Sequence, residues 1–320
     1  MSHKKHRKSN FIYRIEYVFF RIGTGIIRLL PLSAAYALAR LLAGGVRIFD
    51  RKHYTRTVQH IRHSGILSDP AEIRKLAHAN LVHIVKVFIE IVKFDQIINE
   101  DNFYEHLSVA DDEWSQKMMN PDTTCQIILA TAHIGNWELA GGCHSKYCGI
   151  PMLSIGRPLE NPYIAAYFFK KRCSFQHETF PKEKGLRPFL TGFKNGQNLT
   201  IVADQHCATS EGVEVRFFGH PARAHATPAL LHLRTRLPIA MPFLARKDDH
   251  FNFQFHCQKP IMYEPTGDKE ADIKAIVQLY TTQIENAVRE FPEQWLWAHR
   301  RWLDCNRHET IEHPVEQGKN

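Results

Sequence analysis

The chain has 320 residues, 44% of them hydrophobic and 23% charged. That balance excludes a disordered or fibrous protein and allows a sizeable buried core. The formal net charge is +8, from 41 Lys+Arg against 33 Asp+Glu, with 20 histidines besides. A basic surface attracts nucleic acid, anionic lipid or an acidic protein without choosing among them. The cysteine count, 7, is odd and no CxxC occurs; neither a disulfide framework nor a zinc ribbon is indicated, and a reducing compartment fits best.

Residues 1–10 form a basic tail with Lys4, Lys5, Arg7 and Lys8. Phe11–Phe49 reads as an apolar, helix-favouring region with predicted breaks near Pro31 and Gly44-Gly45. A membrane span needs about 20 mostly apolar residues. Here Arg14, Glu16, Arg21, Arg28, Arg40 and Arg47 interrupt, and a mid-bilayer charge costs roughly 2.5–3.5 kcal/mol. The charges also cut short any cleavable signal. Aromatics (Tyr13, Tyr17, Phe19, Phe20) among arginines suit a helix lying in the membrane interface, with the basic tail on the cytoplasmic side. The alternative is a pair of amphipathic helices packed on the domain.

Asp50–Asp69 is expected to hold a short polar helix or loop. Ala71–Phe94 is a better helix, because Ile73, Leu76, Ala77, Leu81, Ile84, Val85, Phe88 and Ile91 recur at steps of three and four. His78 and His83 do not share a face and read as surface or cap residues. Asn99–Asp122 is polar and loop-rich. From Cys125 the pattern alternates. Strands are predicted over Gln126–Ala132, Met152–Ile155, Leu199–Ala203, Val213–Phe218, Ile239–Leu244 and Phe251–Cys257. Helices are predicted over Trp137–Cys148, Pro162–Arg172, Gly185–Lys194, Pro228–Arg236 and Lys269–Glu290. The expected fold is α/β, a mixed or largely parallel central sheet flanked by helices, with an N-terminal amphipathic, membrane-associated segment. The expected division is 1–49 for the tail and anchor, 50–305 for the main domain and 306–320 for a polar tail.

Chemistry concentrates at Ile127–Leu139, IILATAHIGNWEL. An apolar run stops at His133, a turn-like Gly135-Asn136 follows, and Glu138 comes next. In one continuous helix these two side chains would lie about 140° apart. If a strand ends at His133 and a helix starts near Asn136, Glu138 can point back and orient the imidazole. The strand-to-helix break is therefore a structural expectation in its own right. The bland alternative is a histidine at a strand end beside a surface glutamate.

Thr131–Gly142 (TAHIGNWELAGG) resembles the HxxxxD/E region of the glycerolipid-type acyltransferase superfamily, and within it the late acyltransferases of bacterial lipid A biosynthesis. Four further blocks follow in order: Gly156-Arg157-Pro158 with Asn161-Pro162; Asn195-Gly196 then Leu199–Gln205, ending in Asp204-Gln205; Val215–Gly219 with Pro221-Ala222; and Pro292–Arg301 (PEQWLWAHRR). Five blocks in order are more specific than any one. His206-Cys207 and Ala226-Thr227-Pro228 depart from the family pattern, which touches substrate recognition more than the reaction.

The resemblance implies transfer of a fatty acyl chain from an acyl carrier protein or acyl-CoA thioester to a hydroxyl of a lipid A precursor, at the cytoplasmic face of the bacterial inner membrane. His133 is the implied general base and Glu138 its orienting partner. Arg157, Asp204 and Arg216 are candidate substrate-binding residues. Arg157 is a candidate for the oxyanion or a phosphate, and Arg216, Arg223, Arg234 and Arg236 for head-group phosphates. Asp204 reads either as a site organiser or as a helix cap. Lys170-Lys171-Arg172 with Lys182, Lys184 and Arg187 form a basic cluster that could meet an acidic carrier protein. His299, Arg300 and Arg301 read as structural, because Trp295, Trp297 and Trp302 look like a lid on the core. No cofactor and no nucleic-acid partner is expected. GxSxG, HExxH, GxxxxGK[ST] and GxGxxG are absent, and Cys143-His144 with Cys148 lacks a second ligand pair. The competing readings are an acyltransferase of the same fold acting on another glycolipid or a lysophospholipid, and a non-catalytic, basic, membrane-associated binding protein.

Overall fold

The computed structural model describes residues 8–122, 125–156, 159–172, 176–181 and 186–302. Two helices open the chain, α1 (Asn10–Leu29) and α2 (Leu32–Phe49), and they part at Pro31 as expected. The second expected break does not occur: α2 runs through Gly44-Gly45. Each glycine costs a helix interior about 1 kcal/mol. Packing outweighs this, because Ala35, Tyr36 and Ala39 of α2 are buried with Ile89 and Val92 of the fourth helix.

The segment after α2 is a regular helix, α3 (Arg51–Ser64), started by the Asp50 side chain and stopped by Gly65 in the left-handed region. The fourth helix, α4 (Pro70–Ile97), begins with Pro70 at its first turn, where its missing N–H costs nothing, and the Asp69 carboxylate caps it. His83, expected at the surface, is 2% exposed. The helix is covered on more than one side, by α2 and by the chain's last segment, so residues off the main apolar stripe are buried too. The loop-rich stretch after α4 carries short elements: α5 (Phe103–His106), β1 (Leu107–Val109) and α6 (Glu113–Met119).

Alternation then begins as predicted: β2 (Ile128–Thr131), α7 (Trp137–Cys148), β3 (Met152–Gly156), α8 (Pro162–Arg172), β4 (His177–Pro181), α9 (Arg187–Lys194) and β5 (Asn198–Val202). After the hairpin β6 (Gly212–Phe217) and β7 (His220–His225) come α10 (Thr227–Thr235), β8 (Ile239–Ala240), β9 (Pro242–Arg246), β10 (Phe253–Cys257) and α11 (Lys269–Glu290). The central sheet has the order β4-β3-β5-β2-β8 and every pairing in it is parallel. A second sheet, β1-β10-β9, is mixed. The expected single strand Ile239–Leu244 is split between the two sheets. Pro242 has no N–H to donate and opens β9, so the pairing changes there.

Besides the three-residue β1, two strands escaped the sequence pattern. The edge strand β4 is polar (HETFP), and β7 (HPARAH) carries small and polar residues. What defines β7 is its turn: Phe218 and Gly219 both have positive φ, 52° and 76°, the geometry that closes a two-residue hairpin.

Phe11, Ile15, Val18, Phe19, Ile22, Ile26 and Leu29 are exposed along α1, and Leu41 and Leu42 on α2. At steps of three and four these α1 residues share one face. Among the described residues no helix is long and apolar enough to cross a membrane.

A buried charge joins the N-terminal helices to the α/β core. Glu90 of α4, 0% exposed, accepts from Tyr36 Oη at 2.9 Å and from Asn136 Nδ2 at 2.7 Å, and pairs with Arg246. Glu90→Ala is expected to lose roughly 3–5 kcal/mol of stability, because it strands the Arg246 guanidinium without its counter-charge. Urea unfolding of the variant against the parent measures this.

Candidate active site

The strand-to-helix break falls where the spacing required it. β2 ends at Thr131, Asn136 caps α7 through Leu139 N–H, and Gly135 has φ of +61°. No other residue suits position 135. A Cβ there would overlap the Leu244 carbonyl, and left-handed φ disfavours a side chain. The segment is pinned on both flanks: Gly135 N–H donates to Gln294 O at 3.0 Å and Asn136 N–H to Leu244 O at 2.8 Å.

The parallel register then decides what His133 meets. Thr131 lies opposite Val202, so two residues further on His133 and Asp204 leave their strands at the same level. His133 Nδ1–H donates to Asp204 Oδ1 at 2.7 Å, and its backbone N–H donates to Oδ2 at 2.9 Å. Trp295 Nε1–H donates to Oδ2 as well, at 2.8 Å. The carboxylate holding the imidazole is thus Asp204, where the sequence spacing had pointed to Glu138. Glu138 sits in the first turn of α7, half-buried, on the wall of the cavity that His133 also lines. A helix's first turn is reached at once after the break, but Nδ1 is already committed to a strand neighbour that the register presents directly.

Asp204 is 0% exposed. Burial works against its charge, yet its carboxyl is held below the usual carboxylate range because His133, through charge and hydrogen bond, outweighs that penalty. An ionised Asp204 fixes the proton on Nδ1 and turns the Nε2 lone pair toward the cavity. There Gln205 Nε2 donates to His133 Nε2 at 3.2 Å and to His299 Nε2 at 3.0 Å. The two imidazoles lie 4.5 Å apart. His299 was read as structural from its Trp-rich surroundings. It arrives here because Leu296 N–H donates to His133 O and Trp295 bridges Ile134, which lays the last segment along the strand end.

The cavity measures about 390 Å³ and is lined by Thr131, His133, Trp137, Glu138, Gln205 and His206, among others. It lies at the carboxyl ends of the parallel strands, where open α/β sheets bind ligands. Arg157, the candidate oxyanion or phosphate residue, lies outside the described residues. Arg216 is exposed on β6, donating to Gly219 O, away from the cavity lining. Within the basic cluster, Lys171 pairs with Asp95 at 2.8 Å, while Lys182 and Lys184 lie outside the described residues. Cys143 and Cys148 are buried in an apolar cluster. His133, Asp204 and His299 present ligand atoms within 4.8 Å of one another, so a cation would fit by distance. Their polar atoms are, however, already matched by one another and by the Gln205 amide.

The chain therefore has an α/β sheet whose carboxyl edge carries a carboxylate-oriented histidine over a cavity, the arrangement of a general-base site. The family described as Bacterial lipid A biosynthesis acyltransferase matches residues 3–304, and the chain belongs to that family. A phosphatidylinositol mannoside acyltransferase of Mycobacterium tuberculosis is 25% identical over 180 residues, 55% of this chain and 54% of that protein. Its counterpart in Mycolicibacterium smegmatis is 23% identical over 180 residues, 55% and 56%. A lipid A biosynthesis acyltransferase of Haemophilus influenzae is 26% identical over 174 residues, 53% and 52%. The chain spans about half the length of the curated relatives it matches.

Burial brings the His299 imidazole down to about 3, with the neighbouring charge of His133 acting the same way. A lowered histidine pKa means the unfolded chain takes the proton first. Stability is then lost as pH falls through the unfolded value near 6.5, and the loss continues to about 3. The Asp204 contribution runs out only at lower pH, below the ordinary carboxylate value. From pH 7 to pH 5 His299 accounts for at most about 2 kcal/mol of lost stability. His60 and His144, both brought to about 4 by burial, add to that slope. Urea unfolding at the two pH values is expected to show a smaller loss for His299→Gln than for the parent.

Proposed function

We propose that the protein is an O-acyltransferase. It moves a fatty acyl chain from an acyl thioester, carried by acyl carrier protein or coenzyme A, to a hydroxyl of a lipid A precursor or a related glycolipid. The observation that carries this reading is the Asp204–His133 pair at the mouth of a cavity, in a chain of this family. His133 Nε2 takes the proton as the acceptor oxygen attacks the thioester carbonyl, and Asp204 stabilises the imidazolium that forms. The acceptor hydroxyl takes the place of the Gln205 amide at Nε2. When the tetrahedral intermediate collapses, the thiolate leaves and accepts the proton. Glu138 acts from the cavity wall, where its carboxylate can hold the acceptor's other hydroxyls. Arg157 is retained as a candidate for the oxyanion, and Arg216 as a candidate for a more distant part of the head group.

The names of the relatives refer to a glycolipid in both kinds, phosphatidylinositol mannoside in one and lipid A biosynthesis in the other. That supports a sugar-bearing amphiphile over a lysophospholipid. Mass spectrometry of total lipids, with the parent protein or His133→Ala, is expected to show one added acyl group only with the parent; an unchanged lipid profile would favour the binding-protein reading. For purified protein, Asp204→Asn should lower kcat about 10³–10⁴-fold, the scale for losing the carboxylate behind a histidine base. Glu138→Gln should act mainly on KM for the acceptor. Equal kcat losses in both would return the orienting role to Glu138.

We also infer attachment to the cytoplasmic face of the inner membrane through α1. The exposed apolar stripe, together with Arg14 and Arg21 on the same helix, supports a helix lying in an anionic interface. Deleting residues 1–49 is a poor test, since Tyr36 is bonded to Glu90 in the core. Replacing Phe19 and Leu29 by Ser spares the core. The double variant is expected to lose most co-sedimentation with phosphatidylglycerol vesicles, and binding equal to the parent would place the attachment elsewhere.

A further inference from the structure

The α7-facing side of the central sheet has an unusual composition. Parallel sheets are covered on both faces and ordinarily carry Val, Ile and Leu there. Here Ser154 lies opposite Thr179 on one neighbouring strand and opposite Thr200 on the other, which makes a row of three hydroxyls across β4, β3 and β5. Part of this polar group is internally satisfied: Ser154 Oγ is 2.9 Å from Thr179 Oγ1 and 2.8 Å from His177 Nε2. Thr131 donates to Pro242 O at 2.8 Å.

Thr200 Oγ1 and His144 Nδ1 are buried and have no hydrogen-bond partner among the described residues. Thr200 is 8% exposed and His144, on the inward face of α7, 2%. Both line a small chamber of about 20 Å³ with Leu129, Met152, Phe243 and Phe255. That is room for roughly one water-sized group. The chamber shares Thr131, Ala140, Gly141 and Thr200 with the cavity in front of His133, so it forms the inner end of that cavity. Leaving a buried hydroxyl or ring nitrogen unpaired costs about 1–3 kcal/mol per group. A plain hydrocarbon chain in this chamber would keep both unpaired and also exclude the water that could pair them. A hydroxyl on the chain carries one donor and two lone pairs, the capacity needed to match both.

We propose that the inner chamber recognises a hydroxyl on the acyl group, through Thr200 Oγ1 and His144 Nδ1, and so selects hydroxylated acyl donors over plain saturated ones. This rests on the acyltransferase reading above. The selectivity follows because a site built to pair a hydroxyl rejects the analogue that lacks it. Burial keeps the His144 ring neutral at working pH, which leaves it one N–H and one lone pair and no charge to desolvate.

The test uses the full chain and non-transferable thioether analogues of the acyl donor, each made both on coenzyme A and on acyl carrier protein: dodecanoyl, its alpha- and beta-hydroxy forms, and the terminally hydroxylated form. Isothermal titration gives the affinity of each for the parent and for Thr200→Val, which keeps the side-chain shape and removes the hydroxyl. The expected result is one hydroxylated analogue bound about tenfold or more tightly than the plain one by the parent, the scale of one good hydrogen bond. In Thr200→Val that ratio should fall close to one, largely because the plain chain binds better. His144→Leu should do the same and serves if the threonine variant is unstable. Equal or tighter binding of the plain chain by the parent, or a ratio unchanged in the variants, overturns the proposal while leaving the acyltransferase reading intact. Binding of none of the analogues overturns that reading and this proposal together.

Discussion

The Asp204 carboxylate is the constraint on which the site depends. A fully buried charge is tolerated only when its lone pairs are taken up, and here three donors from two distant parts of the chain converge on it. His133 supplies its ring and its backbone, and Trp295 supplies its indole. Satisfying the charge and orienting the base are one event. The same contacts bring the last segment against the strand end, and with it His299. The hairpin β6–β7 belongs to this assembly, since Phe217 packs on both Trp295 and Trp302, and the Arg301 guanidinium lies over the Phe217 ring. The Phe-Phe-Gly block is in this light a support for the aspartate's indole partner, two layers away from the chemistry.

A second buried carboxylate, Glu90, does for the scaffold what Asp204 does for the base. It reaches the Asn136 cap of α7, the Arg246 guanidinium on β9 and the Tyr36 hydroxyl on α2. The start of α7 carries Trp137 and Glu138 into the cavity wall, so the N-terminal helices help set the cavity's shape. The two N-terminal helices use this frame differently: α2 buries Ala35, Tyr36 and Ala39 against α4, while α1 packs one face on α4 and α8 and leaves its apolar stripe uncovered.

The cavity is polar at both ends. At its mouth stand His133, Glu138 and Gln205; at its inner end lie Thr200 and His144. Low dielectric makes unpaired polar atoms costly, so the inner end constrains what can be bound there as firmly as the mouth constrains what can react.

Much of this was legible in the residues, and the boundary follows from physics. Local rules placed the strand ending near His133, the break at Gly135-Asn136 and helices such as Trp137–Cys148, Pro162–Arg172 and Lys269–Glu290. Apolar periodicity, a left-handed glycine and a capping asparagine all act within a few residues. The ordered blocks of the family resemblance identified the family. Strands β1, β4 and β7 were missed because the first is three residues long in a polar stretch, the second lies polar at a sheet edge and the third is defined by its turn. His83 looked like a surface residue because one helix's periodicity does not show what covers its other side. The partner of His133 was beyond local reading. Glu138 is the near carboxylate in sequence, whereas Asp204 lies 71 positions away, and only the parallel register of β2 and β5 brings it level. His299 and the unpaired Thr200 and His144 likewise become neighbours of the cavity through strand pairing and helix packing. The sequence by itself determined which chemistry-bearing residues the chain possesses and where its elements begin; the tertiary structure decided which of them meet, because pairing across strands is set by register and burial over distances that spacing along the chain does not encode.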